Sequence, residues 1–255
     1  MSHHIVEVKD LQYTYPDGNS ALRGISFRIT HGETVAIIGA NGAGKSTLLL
    51  HLNGCLIPEV GTVRIGDLPL TKKTLQHVRR TVGMVFQDPD DQLFMPLVYD
   101  DVAFGPLNLG LPREEVDDRV MKALDIVGAT HLKDRPPYRL SGGEKRSVAI
   151  ASVLSMGPDI LVMDEPTSNL DPWARRQLIR LLESFQHTII IATHDLDMVL
   201  DLCSRTIIIK EGRVVADGAT REIMENDELL VTSRLEKPAR LQDCPVCKTR
   251  LGTET

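Results

Sequence analysis

Thr34-Val35-Ala36-Ile37-Ile38-Gly39-Ala40-Asn41-Gly42-Ala43-Gly44-Lys45-Ser46-Thr47, running into Leu48-Leu49-Leu50-His51-Leu52, is the stretch on which the fold turns. Its first five residues are apolar or β-branched and read as a buried strand; its last five read as an apolar helix. Between them lies Gly-x4-Gly-Lys-Ser, whose meaning depends on that strand-to-helix setting. Glycines there let backbone N–H groups converge on phosphate oxygens, and the helix start adds its positive dipole end. Lys45 is placed to reach β and γ phosphates and Ser46 to ligate Mg2+. The candidate nucleotide-binding residues of this loop are Gly39, Asn41, Gly42, Gly44, Lys45, Ser46 and Thr47.

Outward from this stretch the chain continues as α/β. Strands are expected at residues 5–8, 63–65, 82–86, 160–163, 188–192 and 206–210, with a closing hairpin over 207–215 that turns at Glu211-Gly212. Residues 160–163 and 188–192 are almost wholly apolar, as strands covered by helices on both faces of a mainly parallel sheet must be. Between Phe86 and Ile160 the period changes to helical: residues 113–127 carry Val116, Val120, Leu124 and Val127 at three- and four-residue spacing, and another helix opens near Ser141. This is an inserted helical subdomain at about 88–158. Residues 1–233 form the main unit and 234–255 a polar extension.

The 255 residues are 42% hydrophobic and 25% charged, a globular composition with enough apolar sequence for a large core. No apolar run reaches the roughly 18 residues of a membrane span, and the first residues lack the apolar centre of a signal peptide, so a cytosolic location is expected. A net charge of -6 argues against a surface built for nucleic acid. Cys55 and Cys203 lie in apolar segments and are expected to be buried thiols. Cys244 and Cys247 make one Cys-x-x-Cys, two ligands where structural zinc takes four, so the tail reads as an exposed extension, with a metal shared between two chains as the lesser alternative.

Two further strand ends carry chemistry. Ile160-Leu161-Val162-Met163 leads into Asp164-Glu165, at the carboxyl edge of the sheet where such folds bind ligands. Asp164 is suited to the Mg2+ shell and Glu165 to deprotonating an attacking water. Without the phosphate loop the same pair would be read as a helix-start feature. His194 follows residues 188–192 and can bond a γ-phosphate or that water. Ser141-Gly142-Gly143 opens a helix with free N–H groups, but the insertion gives it no place beside Lys45 in a single-chain site.

Together these motifs resemble the ATP-binding subunits of ABC transporters, from about Ile5 to Asn226. The resemblance implies a P-loop NTPase core with a mainly parallel sheet, an N-terminal antiparallel β subdomain and the helical insertion. It implies that Ser141-Gly142-Gly143 is the family signature, touching the γ-phosphate of ATP held by a second ATP-binding chain. By the same resemblance Tyr15 stacks on adenine, Gln87 touches Mg2+ and reports to a membrane subunit, and Ser168-Asn169-Leu170-Asp171 is the loop by which the two chains sense each other. ATP and Mg2+ are the implied ligands, and Glu165, His194 and Gln87 the implied catalytic set. Glu144 stands where glutamine is commoner, and Asn169 where a small residue is commoner.

Gln87 and Ser141 are 54 residues apart (141 minus 87), far too few for the long coiled coils of the family's chromosome-maintenance branch. Phe86-Gln87-Asp88-Pro89-Asp90-Asp91-Gln92-Leu93-Phe94, Asp101-Val102-Ala103-Phe104-Gly105-Pro106 and Glu144-Lys145-Arg146 look like energy-coupling-factor importers, cobalt and nickel importers among them. That implies integral-membrane partners, a peripheral place on the cytoplasmic face, and cobalt or nickel ahead of a vitamin as cargo. The rivals are a soluble ABC ATPase that remodels RNA or protein assemblies, whose best-known forms carry two cassettes or a long insertion, and an idle regulatory module, which would lack Glu165 or His194.

Overall fold

The computed structural model describes residues 4–185 and 187–242. The chain starts with two long strands, β1 (His4–Thr14) and β2 (Ser20–Thr30), then β3 (Thr34–Ile38) and helix α1 (Lys45–Leu52). Next come β4 (Val60–Ile65), the two-residue β5 (Leu68–Pro69), α2 (Leu75–Thr81) and β6 (Val82–Val85). Helices α3 (Val98–Asn108), α4 (Arg113–Ile126) and α5 (Gly142–Leu154) precede β7 (Ile160–Asp164). The remainder is α6 (Pro172–Glu183), β8 (Thr188–Ala192), α7 (Leu196–Leu202), β9 (Arg205–Lys210), β10 (Arg213–Ala219), α8 (Thr220–Glu225) and α9 (Asp227–Thr232).

Two sheets result. The first is antiparallel in the order β2-β1-β4-β5, and the second runs β10-β9-β3-β8-β7-β6 with only the β9–β10 hairpin antiparallel. β3 therefore lies between β9 and β8, with β7 and β6 beyond. The loops leaving β3, β8, β7 and β6 all emerge at one edge, which is why residues 39–47, His194, Asp164-Glu165 and Gln87 can meet although sequence scatters them over 150 positions.

One apolar core joins the sheets, with Val8, Ile25, Phe27 and Val63 from the first meeting Leu48, Leu52, Ile37 and Ile190 around α1. A second, including Ile189, Ile191, Leu178 and Val199, lies on the other face of the parallel sheet. A third is confined to the insertion, where Val102, Val116, Val120, Leu124 and Val148 pack together. α5 belongs to two of them: Val148 and Ala151 face the insertion's core, while Ile150 and Val153 face the sheet.

Three departures from the sequence reading have physical causes. β2 is unanticipated because its alternation Ile25, Phe27, Ile29 is thrown out of phase with Leu22 at Gly24, and the β1–β2 ladder shifts register between Val8 and Leu11 and again to Gln12. α3 is unanticipated because Gly105-Pro106 interrupts the local helical pattern, yet Pro106 sits inside the helix near its end and Gly105 packs so tightly that a Cβ there would lie 2.4 Å from Met156 Cγ. Cys55 is exposed rather than buried, because it falls in the turn after α1, whereas Cys203 is buried and its thiol is pushed up to about 12 by desolvation. Cys244 and Cys247 lie outside the described residues. The described part of the C-terminal segment folds back on α7, where Arg240 pairs with Asp197 at 3.3 Å and Asp201 at 2.7 Å.

Candidate nucleotide site

The loop after β3 is built to leave backbone donors free. Gly44 stands at the N-cap of α1, and its φ of +105° and lack of a side-chain cap leave the first N–H groups of the helix without a side-chain acceptor. A Cβ on Gly39 would lie 2.2 Å from the Ile209 carbonyl oxygen, and one on Gly44 2.6 Å from that of Ala21. These two glycines thus let β9 and β2 close against the loop, a packing duty that the motif alone does not disclose. Lys45 is almost fully buried, and its ammonium donates to the Gly39 carbonyl at 2.8 Å and the Ala40 carbonyl at 3.4 Å. An ammonium has three donors, so one remains for a phosphate oxygen with the loop already braced.

Tyr15 stands beside this loop, its hydroxyl 3.0 Å from Thr47 Oγ1 and its ring edge-on to Tyr13 with centroids 4.9 Å apart. Tyr13 meets His51 in the same geometry, and His51 Nδ1 is 2.8 Å from the Thr47 carbonyl oxygen. Sequence reasoning missed His51: burial depresses its pKa, so it is a neutral strut between α1 and the aromatic pair.

At the end of β7, Asp164 is 5% exposed, and its Oδ1 has no hydrogen-bond partner. Burial raises its carboxyl pKa, opposed by a hydrogen bond from Ser46 and helped by the charge of Glu165. A buried carboxylate oxygen without a donor, next to a serine hydroxyl, fits a hard divalent cation such as Mg2+. The sign of its effect on stability follows from the shift: with the folded pKa above the unfolded one, the native state loses stability as pH climbs out of the ordinary carboxylate range. Asp164→Asn is therefore expected to raise nucleotide-free stability at pH 8 by roughly 1–2 kcal/mol, with the gap narrowing toward pH 5, while abolishing Mg2+-dependent hydrolysis. Thermal unfolding across that pH range checks this.

Glu165 is held harder than its neighbour. Its φ is +46°, and its amide donates to the Ala192 carbonyl at 2.8 Å. Its buried carboxylate accepts from the His194 amide at 3.1 Å and lies 2.8 Å from His194 Nδ1. Left-handed backbone at a non-glycine residue is a strained state maintained by its surroundings. Here it turns the carboxylate toward the β8 loop, and the His194 ring, 68% exposed in its side chain, extends from that carboxylate to solvent.

His194 is itself set by Asp195, which caps α7 through the Met198 amide at 3.0 Å and takes both arms of Arg175 at 2.6 and 2.8 Å. The cap, three residues long, is of the local kind that sequence suggests beside His194; the ion pair is not, since Arg175 is 20 positions away. Burial pushes the Asp195 carboxyl up, but the Arg175 and Met198 donors outweigh it and hold the pKa below the ordinary value. Its contribution is thus present above the unfolded pKa and lost as pH falls through the folded one. Asp195→Asn is expected to cost about 2 kcal/mol at pH 7, and denaturant melts should show that difference shrinking below about pH 4.

Gln87 follows β6 at the same edge and is exposed, its carbonyl accepting from Arg146 at 2.5 Å. Ser141-Gly142-Gly143 is not brought beside Lys45. It lines a separate cleft of about 790 Å³ that it shares with Asn169, Asp171 and Trp173. Ser141 and Glu144 form a capping box: the Ser141 hydroxyl accepts from the Glu144 amide at 3.3 Å, and Glu144 Oε2 from the Ser141 amide at 2.7 Å. Glutamate serves this box as well as glutamine does, which explains why Glu144 is tolerated here. The Asp171 carboxylate is engaged as the cap of α6, accepting from the Trp173 and Ala174 amides.

A braced phosphate loop, paired acidic residues at the next-but-one strand end and an inserted helical segment that opens a cleft of its own define a P-loop nucleotide-hydrolysing protein. The ABC transporter family model matches residues 22–168, and the chain belongs to that family, as an ATP-hydrolysing ATP-binding subunit of the energy-coupling-factor type. A Geobacter sulfurreducens protein named as an ABC transporter ATP-binding protein is 71% identical over 97% of this chain and 99% of its own length. The energy-coupling factor transporter ATP-binding protein of Methanocaldococcus jannaschii is 48% identical over 92% and 86%. Among solved structures, cbiO1 of Clostridium perfringens, part of the ABC transporter complex cbiONQ, superposes with a TM-score of 0.79 at 43% identity, covering 91% of this chain and 94% of that one. A dimeric ATP-binding cassette in a post-hydrolysis state bound to ADP and Pi gives 0.76 at 29% identity, covering 85% and 99%.

Proposed function

We propose that two ATP-binding chains, this one and either a copy or a related chain, close around ATP. Each ATP would lie between the loop at residues 39–47 of one chain and Ser141-Gly142-Gly143 of the other. The observation that carries this is the split itself: the signature opens a cleft of its own, apart from Lys45 and Glu165, so a second chain is needed to complete the site. The dimeric cassette bound to ADP and Pi supports the arrangement.

Within one half-site, Tyr15 stacks on the base, while Lys45 and the free N–H groups of α1 hold the phosphates. Glu165 takes the proton of a water attacking the γ-phosphorus, and His194, bonded to Glu165 through Nδ1, orients that carboxylate and meets the γ-phosphate. The bond from the γ-phosphorus to the β–γ bridging oxygen breaks and ADP leaves. Ser46, Asp164 and Gln87 are the residues that would hold Mg2+, which neutralises phosphate charge. The domain organisation that goes with this is a working unit of residues 1–233 with its insertion at about 88–158, followed by the 234–255 extension.

Among the described residues no helix is long and apolar enough to cross a membrane. We assign the chain to the cytoplasmic face, attached to integral-membrane subunits, with no role for nucleic acid. The proposed cargo is a transition-metal ion, cobalt or nickel, on the strength of the Phe86–Phe94 and Asp101–Pro106 motifs and of the similarity to cbiO1; a vitamin is the second reading, favoured by the energy-coupling-factor relatives. Purification of the tagged chain from its own membranes in mild detergent, with mass spectrometry of what accompanies it, tests this. An integral-membrane subunit is the expected companion; soluble proteins or ribosomal material alone would overturn the transport assignment.

A further inference from the structure

Arg146 is used by none of the chemistry above, yet among the described residues it is one of the most completely buried charges, at 3% exposure. It lies on α5, five residues after Ser141. Its two terminal nitrogens donate to the Phe86 carbonyl at 2.7 Å and the Gln87 carbonyl at 2.5 Å, and its Nε has no partner. A second connection joins the same places: the Phe86 amide donates to Gln92 Oε1 at 3.2 Å, while Gln92 Nε2 donates to the Ala149 carbonyl at 2.7 Å and Ser152 Oγ at 2.9 Å. Lys145 adds an ion pair with Asp90 at 2.5 Å.

Both backbone groups of Phe86 and the carbonyl of Gln87 are thus fastened to α5. Burying a guanidinium against carbonyls, with one N–H unsatisfied and Asp88 and Asp164 acting on it only through their fields, is a costly way to secure a turn. An apolar side chain of similar volume would hold the packing with less penalty. What the guanidinium supplies is a stiff two-point link between the helix that carries the signature and the backbone of Gln87.

We propose that Arg146, seconded by Gln92, is a positioning residue that makes the signature turn and the Gln87 segment move as one body, so that contact with the partner's ATP is felt at this chain's own nucleotide site. This rests on the two-chain site proposed above. Arg146 borders the signature cleft, but its terminal nitrogens are engaged by the Phe86 and Gln87 carbonyls, so the link acts on assembly of the closed pair rather than on ATP capture by a single chain.

The test uses the full chain in a Glu165→Gln background, where slow turnover preserves the ATP-bound pair. Dimerisation in Mg2+-ATP is followed by light scattering, and ATP affinity of dilute chain by a fluorescent nucleotide analogue. Arg146→Met is expected to weaken ATP-driven dimerisation about tenfold, equivalent to roughly 1.4 kcal/mol, while the dilute chain's affinity stays within about twofold. Arg146→Lys, able to reach one carbonyl but not hold both, should recover only part of the loss. If Arg146→Met lowers the melting temperature enough to obscure this, Gln92→Leu severs the second connection at a half-buried position and carries the same expectation.

Dimerisation unchanged in Arg146→Met and Gln92→Leu would overturn the link, as would a parallel fall in ATP affinity. Failure of Glu165→Gln itself to dimerise with ATP would overturn the two-chain site, and the link with it.

Discussion

Glu165→Gln is expected to bind ATP with near-normal affinity and to hydrolyse it about 10²–10⁴ times more slowly, the share that a general base contributes. The geometry sharpens this expectation. Glutamine keeps the size of the side chain and can still accept from the His194 amide through its carbonyl oxygen, so the left-handed turn at this residue and its bond to the Ala192 carbonyl should survive. What is lost is proton acceptance, together with the carboxylate charge that acts on Asp164. Equilibrium nucleotide binding measured beside steady-state phosphate release separates the two: near-normal turnover would remove Glu165 from the base role, whereas a collapse of binding would make it structural. His194→Ala should also slow turnover, since it removes the imidazole 2.8 Å from the same carboxylate, but with the base still present the loss should be smaller.

Much of the architecture was legible because buried parallel strands announce themselves. Residues 188–192 were bounded as observed, since Thr-Ile-Ile-Ile-Ala is an almost wholly apolar β-branched run that is buried throughout. The amphipathic period that set the start of α4 at Arg113 was equally direct. The failures occurred where pattern is interrupted by geometry. Register shifts between β1 and β2 split their alternation into pieces too short to read, and Gly105-Pro106 looks like a helix end to any local rule, although Gly105 is there so that α3 can lie against Met156.

The site shows the same division. The candidate residues that follow a strand do gather at one sheet edge, because sequence displays the strand that carries each of them there. Residues that position them were not: Arg175 reaches Asp195 across 20 positions, Gln92 reaches α5 across 57 and 60, and the His51–Tyr13–Tyr15 series crosses from one sheet to a helix of the other layer. Contacts of this kind depend on which strands become neighbours, and the order β3-β8-β7-β6 is a property of the assembled sheet. The motif Phe86–Phe94 is a case in between. Its acidic and glutamine residues suggested a functional identity in sequence; in the structure Gln92 and Asp90 tie this segment to α5.

Lys45→Ala should produce the largest loss of nucleotide affinity of any single change in the loop, about 10²-fold or more, by removing a charge-assisted bond worth roughly 1.5–3 kcal/mol together with the brace beneath it. The two parts can be told apart. In the nucleotide-free chain Lys45 occupies the Gly39 and Ala40 carbonyls, which would be left without their ammonium donor in the alanine variant. Amide exchange at residues 39–44 should then accelerate even without ATP. Lys45→Arg keeps the charge but carries a planar fork too large for a site that lies 7% exposed beneath its own loop, so affinity should fall there as well, with less loss of charge attraction than in alanine. Unchanged nucleotide affinity in Lys45→Ala would sink the phosphate-loop assignment. Reduced affinity with unaltered exchange would keep that assignment and show that the contacts to Gly39 and Ala40 do not brace the loop in solution.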